Sequence, residues 1–99
     1  MIAVHPEADA ESVEAVDYYR ARKPDLGLRF VNQLATVFSE IERHPERWPA
    51  DEKGSRHIKL KGFPYLVFYR VRGDFVRVLA VSHGARKPGY WEDRISDPM

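Results

Sequence analysis

Cysteine is absent from the 99 residues, so the chain has neither a disulfide framework nor a thiolate metal site, and nothing in it calls for an oxidising compartment. Long apolar runs are missing too. No stretch approaches the roughly 18 residues of a membrane span, and the N-terminus, MIAVHPEADAESVEA, lacks a basic segment leading into an apolar one. A soluble cytoplasmic protein with no membrane partner is expected. The six glycines are isolated, which excludes a glycine-rich phosphate loop. His5, His44, His57 and His83 are scattered without metal-ligand spacing, and there is no HExxH, so neither a metal nor a cofactor is expected. Ser82 and His83 are neighbours on a strand-like run; their side chains should leave opposite faces, which argues against a Ser–His nucleophilic pair.

Negative charge is nearly missing from one segment. Residues 1–52 carry six Lys or Arg against eleven Asp or Glu, residues 53–91 carry nine against the single Asp74, and residues 92–99 carry one against three. The formal net charge of +1 hides this division. A cationic surface for an anionic partner, nucleic acid or an acidic protein segment, is the direct implication. The competing reading is that the flanking acids neutralise the segment once the chain folds.

With 43% hydrophobic residues, the chain has enough apolar material for one modest core and one domain, residues 1–99. IAVH (2–5) suggests a short strand, and Pro6 suits the first turn of a helix. From Glu7 to Lys23, Ala8, Val13, Val16 and Tyr19 recur at helical spacing, with acids early and Arg20, Arg22 and Lys23 late, as the helix dipole favours. Those acids read as solvated dipole partners. Pro24 ends this helix, and Asp25 is placed to cap a second, in which Leu26, Phe30, Val31, Leu34, Val37, Phe38 and Ile41 form an apolar stripe up to Pro45. So short a link predicts an antiparallel helical hairpin.

HPERWPADEKGS (44–55) reads as a loop, with Trp48 tucked onto the helix–sheet seam. The period then changes to two. RHIKLK (56–61) sets Ile58 and Leu60 on one face and His57, Lys59 and Lys61 on the other; FPYLVFYRV, a Gly73-Asp74 turn and FVRVLAVSH complete a meander. Helices followed by strands predict an α+β fold, an N-terminal helical hairpin packed on a small, largely antiparallel sheet.

The groups left for chemistry are His57, Lys59, Lys61, His83, Arg86, Lys87 and Tyr90. Metal-free RNA cleavage needs a base for the ribose 2′-hydroxyl, an acid for the leaving oxygen and cations for the phosphate, and His83 has the right ordinary pKa for proton transfer. Tyr90 and Trp91 offer faces for a base to stack on. The structural reading is the commoner one for such residues: the histidine ends a strand, and the aromatic pair after Pro88-Gly89 pins the C-terminus.

EAVDYY (14–19), GLRF (27–30), HPERWP (44–49), RHIKLKGFPYLVFYRV (56–71) and VRVLAVSHGARKPGYW (76–91) together resemble the RelE/ParE superfamily of toxins from type II toxin–antitoxin systems, in the branch often labelled plasmid stabilisation proteins. The resemblance implies a cognate antitoxin, often with an acidic tail, and a toxin–antitoxin hetero-oligomer. It implies one of two targets: messenger RNA on the ribosome for RelE-like members, DNA gyrase for ParE-like ones. A nuclease would use His83, Arg86, Tyr90 and Lys59. Lys59, Arg86 and Tyr90 fall at or near family positions, and His57 occupies another lysine position. Leu66, however, stands where RelE-like nucleases tend to carry an arginine, and loss of such a donor typically costs a hundredfold or more in rate. The HGARKP tail is closer to the ParE side. The expectation is therefore growth inhibition through gyrase, with Arg56, Lys59, Lys61, Arg86, Lys87, Tyr90 and Trp91 forming the target-binding surface. A ribosome-dependent endonuclease and a non-toxic antitoxin-binding relative are the alternatives.

Overall fold

The computed structural model describes residues 1–98. The chain runs β1 (Ile2–Val4), α1 (Pro6–Arg22), α2 (Pro24–Arg43), β2 (Ser55–Lys59), β3 (Tyr65–Arg72), β4 (Phe75–His83) and a short 3-10 turn (Glu92–Ser96). The α+β class is as the sequence indicated. Strand order is β1-β4-β3-β2; β2, β3 and β4 form the antiparallel meander, and β1 joins β4 in parallel.

Local chemistry sets the boundaries. His5 does not continue β1 as expected; its ring Nδ1 accepts the Glu7 N–H at 3.1 Å and caps α1, ahead of Pro6 in the first turn. Asp25 is not the cap of α2. Lys23 holds that position without a side-chain bond, because Pro24 starts the helix and leaves Asp25 inside the first turn, where its charge favours the dipole. One residue thus links the helices. Their tight crossing depends on Gly27, which is buried against the Arg20 backbone.

Phe30, Leu34, Val37 and Ile41 carry the buried stripe of α2, whereas α1 contributes mainly the small buried residues Ala8 and Ala15. They pack on Val67, Tyr69, Val76, Val78 and Val81 of the sheet. Tyr69 is fully buried and its hydroxyl donates to the Pro45 carbonyl at 2.9 Å, tying the 44–49 loop to the sheet. Half-buried Trp48 packs on this core, where the sequence placed it. Gly73 has φ +62° in the two-residue connection between Arg72 and Phe75, as a type II′ hairpin requires.

The period of two fails once. Phe68 pairs with Ala80 but Tyr69 pairs with Val78, so Leu79 is an extra residue on β4. This bulge lets Leu79 and Ala80 join a second small core, on the sheet face away from the helices, with Trp91, Phe68, Tyr90 and Ile95.

Candidate functional site

β-alternation and register decide which side chains share the uncovered face. Lys59 pairs with Leu66, and Leu66 pairs with Ser82, giving one row across three strands; His57, Phe68 and Ala80 form the next row on that face. His83 pairs with Tyr65, beside Val67 and Val81, and therefore leaves the opposite face. There its ring meets the edge of Tyr65, with centroids 5.1 Å apart, and borders a recess of about 510 Å³ with Tyr18, Tyr19, Arg22 and Leu26. Its Nδ1 accepts the Ala85 N–H at 3.0 Å, which starts the tail.

The tail then crosses the outer face. Gly84 N–H donates to Pro64 O at 2.7 Å and Arg86 N–H to His83 O at 3.0 Å, turning the chain. Trp91 stacks on Phe68 at 4.6 Å and is only 4% exposed. Arg86, Lys87 and Trp91 wall a groove of about 120 Å³ whose floor includes Leu66, Phe68 and Ser82.

Beyond Val78 the strand β4 has no strand partner on its outer edge among the described residues, because β1 has ended. Two side chains take the place of a strand there. Glu11 Oε1 accepts the Val81 N–H at 3.0 Å, and Arg94 Nη1 donates to Leu79 O at 3.0 Å. The same two side chains pair with each other, Arg94 Nη1 to Oε1 at 3.1 Å and Nη2 to Oε2 at 3.0 Å. Tyr90 adds its hydroxyl, which donates to Glu11 Oε2 at 2.6 Å. Burial raises the Tyr90 pKa, with the Glu11 hydrogen bond adding to the rise, so the phenol stays a donor. Two guanidinium groups approach its ring, Arg86 at 3.9 Å and Arg94 at 5.2 Å from the centroid.

The sequence-predicted residues therefore separate. Lys59, Lys61, Arg86 and Lys87 are exposed, and among the described residues none of their side chains makes an ion pair. Arg56 faces the helix side with Ile58, and its Nη1 donates to the Trp48 and Glu46 carbonyls. It is a loop clamp. Trp91, expected at a contact surface, is instead part of the second core, and the Tyr90 hydroxyl is engaged by Glu11. Arg70 and Arg77 are likewise bound to carbonyls, of Lys53 and of Ile95 and Asp97, while Lys53 pairs with Glu92. The nine cations do not converge on a single patch.

Glu11 escaped the sequence reading, which treated the α1 acids as solvated. The signal was present: Glu11 lies three residues after Ala8 and four before Ala15, on the face of α1 that those two bury. Its partner Arg94 is the only cation of residues 92–99. His5, Glu7 and Asp97 place possible metal-ligating atoms within 4.8 Å of one another. Both His5 nitrogens already have partners, Nδ1 the Glu7 N–H and Nε2 the Asp97 carboxylate at 2.9 Å. The group therefore reads as a helix cap joined to the tail.

Residues 2–88 match the family model described as ParE toxin of type II toxin-antitoxin system, parDE. The chain is 33% identical over 96 residues to Toxin ParE2 of two Mycobacterium tuberculosis strains, an alignment covering 96% of this chain and 91% of the relative. A solved structure described as the chromosomal ParDE TA system from P. aeruginosa superposes with a TM-score of 0.72 at 19% identity, over 83% of this chain and 92% of that one. The last likeness establishes the fold alone.

Proposed function

Because this chain belongs to the ParE toxin family of type II toxin–antitoxin systems, we propose that it stops growth by binding DNA gyrase, without cutting RNA, and that a cognate antitoxin with an acidic tail neutralises it. Toxin and antitoxin form a hetero-oligomer in the cytoplasm. The observation that carries the non-nucleolytic reading is the separation of the candidate proton-transfer group from the cations: His83 leaves the helix side of the sheet, whereas Lys59 leaves the outer side. Between Lys59 and Ser82 the row holds the apolar Leu66. A phosphate held in that row would find no donor at its centre, and developing charge needs donors within hydrogen-bond reach. Tyr90 is equally unsuited to transfer a proton, since Glu11 holds its hydroxyl.

Binding needs less. Arg86 and Lys87 on the groove wall, with Lys59 and Lys61 at the β2 end, supply an unpaired positive field for an acidic or nucleic-acid-bound partner. Trp91 backs the groove, while Arg56 lies on the other face of the sheet and holds the 44–49 loop. The test is to add the purified toxin to gyrase and relaxed plasmid, and in parallel to a translating ribosome extract. Inhibited supercoiling or trapped DNA breaks, with transcripts intact, is the expected result. Codon-phased cuts in translated messages, abolished by His83→Gln, would overturn it in favour of the endonuclease.

A further inference from the structure

Arg86 is exposed, and among the described residues it has no carboxylate partner, yet its guanidinium is not left to wander. It lies 3.9 Å from the centroid of the Tyr90 ring. That ring is fixed in turn by the 2.6 Å bond from its hydroxyl to Glu11 Oε2. Glu11 itself is held by the Val81 N–H at 3.0 Å and by two bonds from Arg94 at 3.0 and 3.1 Å. A chain of contacts thus runs from the middle of α1 and the edge of β4 to the mouth of the outer groove. We infer that Glu11 and Tyr90 are positioning residues for Arg86: the carboxylate sets the phenol, and the phenol ring holds the guanidinium ready for its partner.

The chemistry favours this arrangement. Stacking uses the planar face of a guanidinium and leaves its N–H edge available for a bidentate grip on a carboxylate or phosphate oxygen pair. A free arginine loses rotamer freedom when it docks, so holding it beforehand removes part of that cost from association. The backbone is prepared as well, since Arg86 N–H is bonded to His83 O at 3.0 Å. A phenol at this place serves better than a carboxylate would, because it steadies the cation without neutralising it. The inference rests on the proposed role of Arg86 in target binding, and the experiment separates the two.

In the intact chain, the Arg86 side-chain Nε–H resonance should be displaced by the Tyr90 ring current; Tyr90→Phe, which keeps the ring but loses its bond to Glu11, should reduce that displacement, and Tyr90→Leu should abolish it. Tyr90→Leu should also weaken gyrase inhibition about three- to tenfold, the scale of one cation–π contact. In an Arg86→Ala background the same substitution should change inhibition no further. Generalised damage to the tail would instead give multiplying losses. An Arg86 resonance indifferent to Tyr90→Leu, or independent effects of the two substitutions, overturns the positioning role. If Arg86→Ala leaves inhibition intact while the resonance still collapses in Tyr90→Leu, the positioning geometry stands and the target-surface reading of Arg86 falls.

Discussion

Replacing both Glu11 and Arg94 by leucine should destabilise this protein, although removal of a buried ion pair is often harmless. The usual reasoning is that two well-packed apolar residues escape the desolvation penalty of two charges, so the exchange is neutral or stabilising. Here the two side chains also satisfy the Val81 N–H and the Leu79 carbonyl, on residues 1% and 0% exposed. Leucine can satisfy neither. Arg94→Leu alone leaves a carboxylate 14% exposed that keeps only the Val81 and Tyr90 donors, and should cost about 3 kcal/mol. Glu11→Leu alone strands a guanidinium 7% exposed, whose remaining carboxylate is the distant Glu7 at 3.8 Å beside the neutral Leu79 carbonyl, and should cost ~3–5 kcal/mol. The double variant is relieved of the ionic term but retains two orphaned backbone groups at roughly 1–3 kcal/mol each, or about 2–6 kcal/mol in all. For a domain of this size that is a fall in Tm of roughly 10–50 °C. Urea unfolding of the four proteins closes the cycle, with an unchanged m-value confirming that native compactness is kept. A double variant as stable as the parent would refute the edge-sealing role and leave an ordinary salt bridge.

Gly27→Ala should loosen the helical hairpin, because the added Cβ would sit 2.8 Å from Arg20 Cβ and 3.0 Å from its Cα; a loss of ~1–3 kcal/mol in urea is expected, against the small gain alanine gives in an open helix. Tyr19, Tyr65, Tyr69 and Tyr90 all have pKa values raised above the usual phenol value, burial being the largest cause in each. A raised folded pKa means that the unfolded chain releases these protons first, so their contribution is fully present below about pH 10 and is lost as pH rises through the folded values. The urea midpoint should therefore drop as pH rises above about 10, with tyrosinate absorbance appearing together with unfolding. Phenols that titrate at their ordinary value in the still-folded protein would contradict it.

What the sequence made legible is what short-range physics controls. The alternation in RHIKLK put Ile58 and Leu60 inward and Lys59 outward, and the spacing from Phe30 to Ile41 exposed the buried stripe of α2. The failures at the site depend on partners far along the chain or on a pattern that does not fix register. Glu11 was read as solvated because the residue that buries it, Arg94, is 83 positions away. The bulge at Leu79 was hidden because VLA is apolar at every position, so a slip in register leaves the pattern intact. Tyr90 and Trp91 were open to two readings until the path of the tail was known. The second core then selected the structural one for Trp91.

The charge asymmetry shows how a composition signal divides on folding. Nine cations in residues 53–91 suggested one continuous electropositive surface. Arg56, Arg70 and Arg77 instead donate to carbonyls of the 44–55 loop and the tail, and Lys53 pairs with Glu92. A small domain with a single helical layer has few ways to hold irregular segments against its sheet, and arginine, with five donors on a long stem, is suited to that task. Of the remaining five, none of which makes an ion pair among the described residues, Arg72 lies at the β3–β4 turn, while Lys59, Lys61, Arg86 and Lys87 stand at the β2 end and on the wall of the outer groove, so the attraction available to a partner is more local than the composition implied. Of these, Arg86 alone is stacked on a ring fixed to the edge of the fold. Glu11 consequently serves two ends: it closes the open edge of β4 and it steadies the phenol beneath Arg86. Substitution there must lower stability and target affinity together, whereas Tyr90→Leu should lower affinity with Arg94 and Glu11 still sealing the edge.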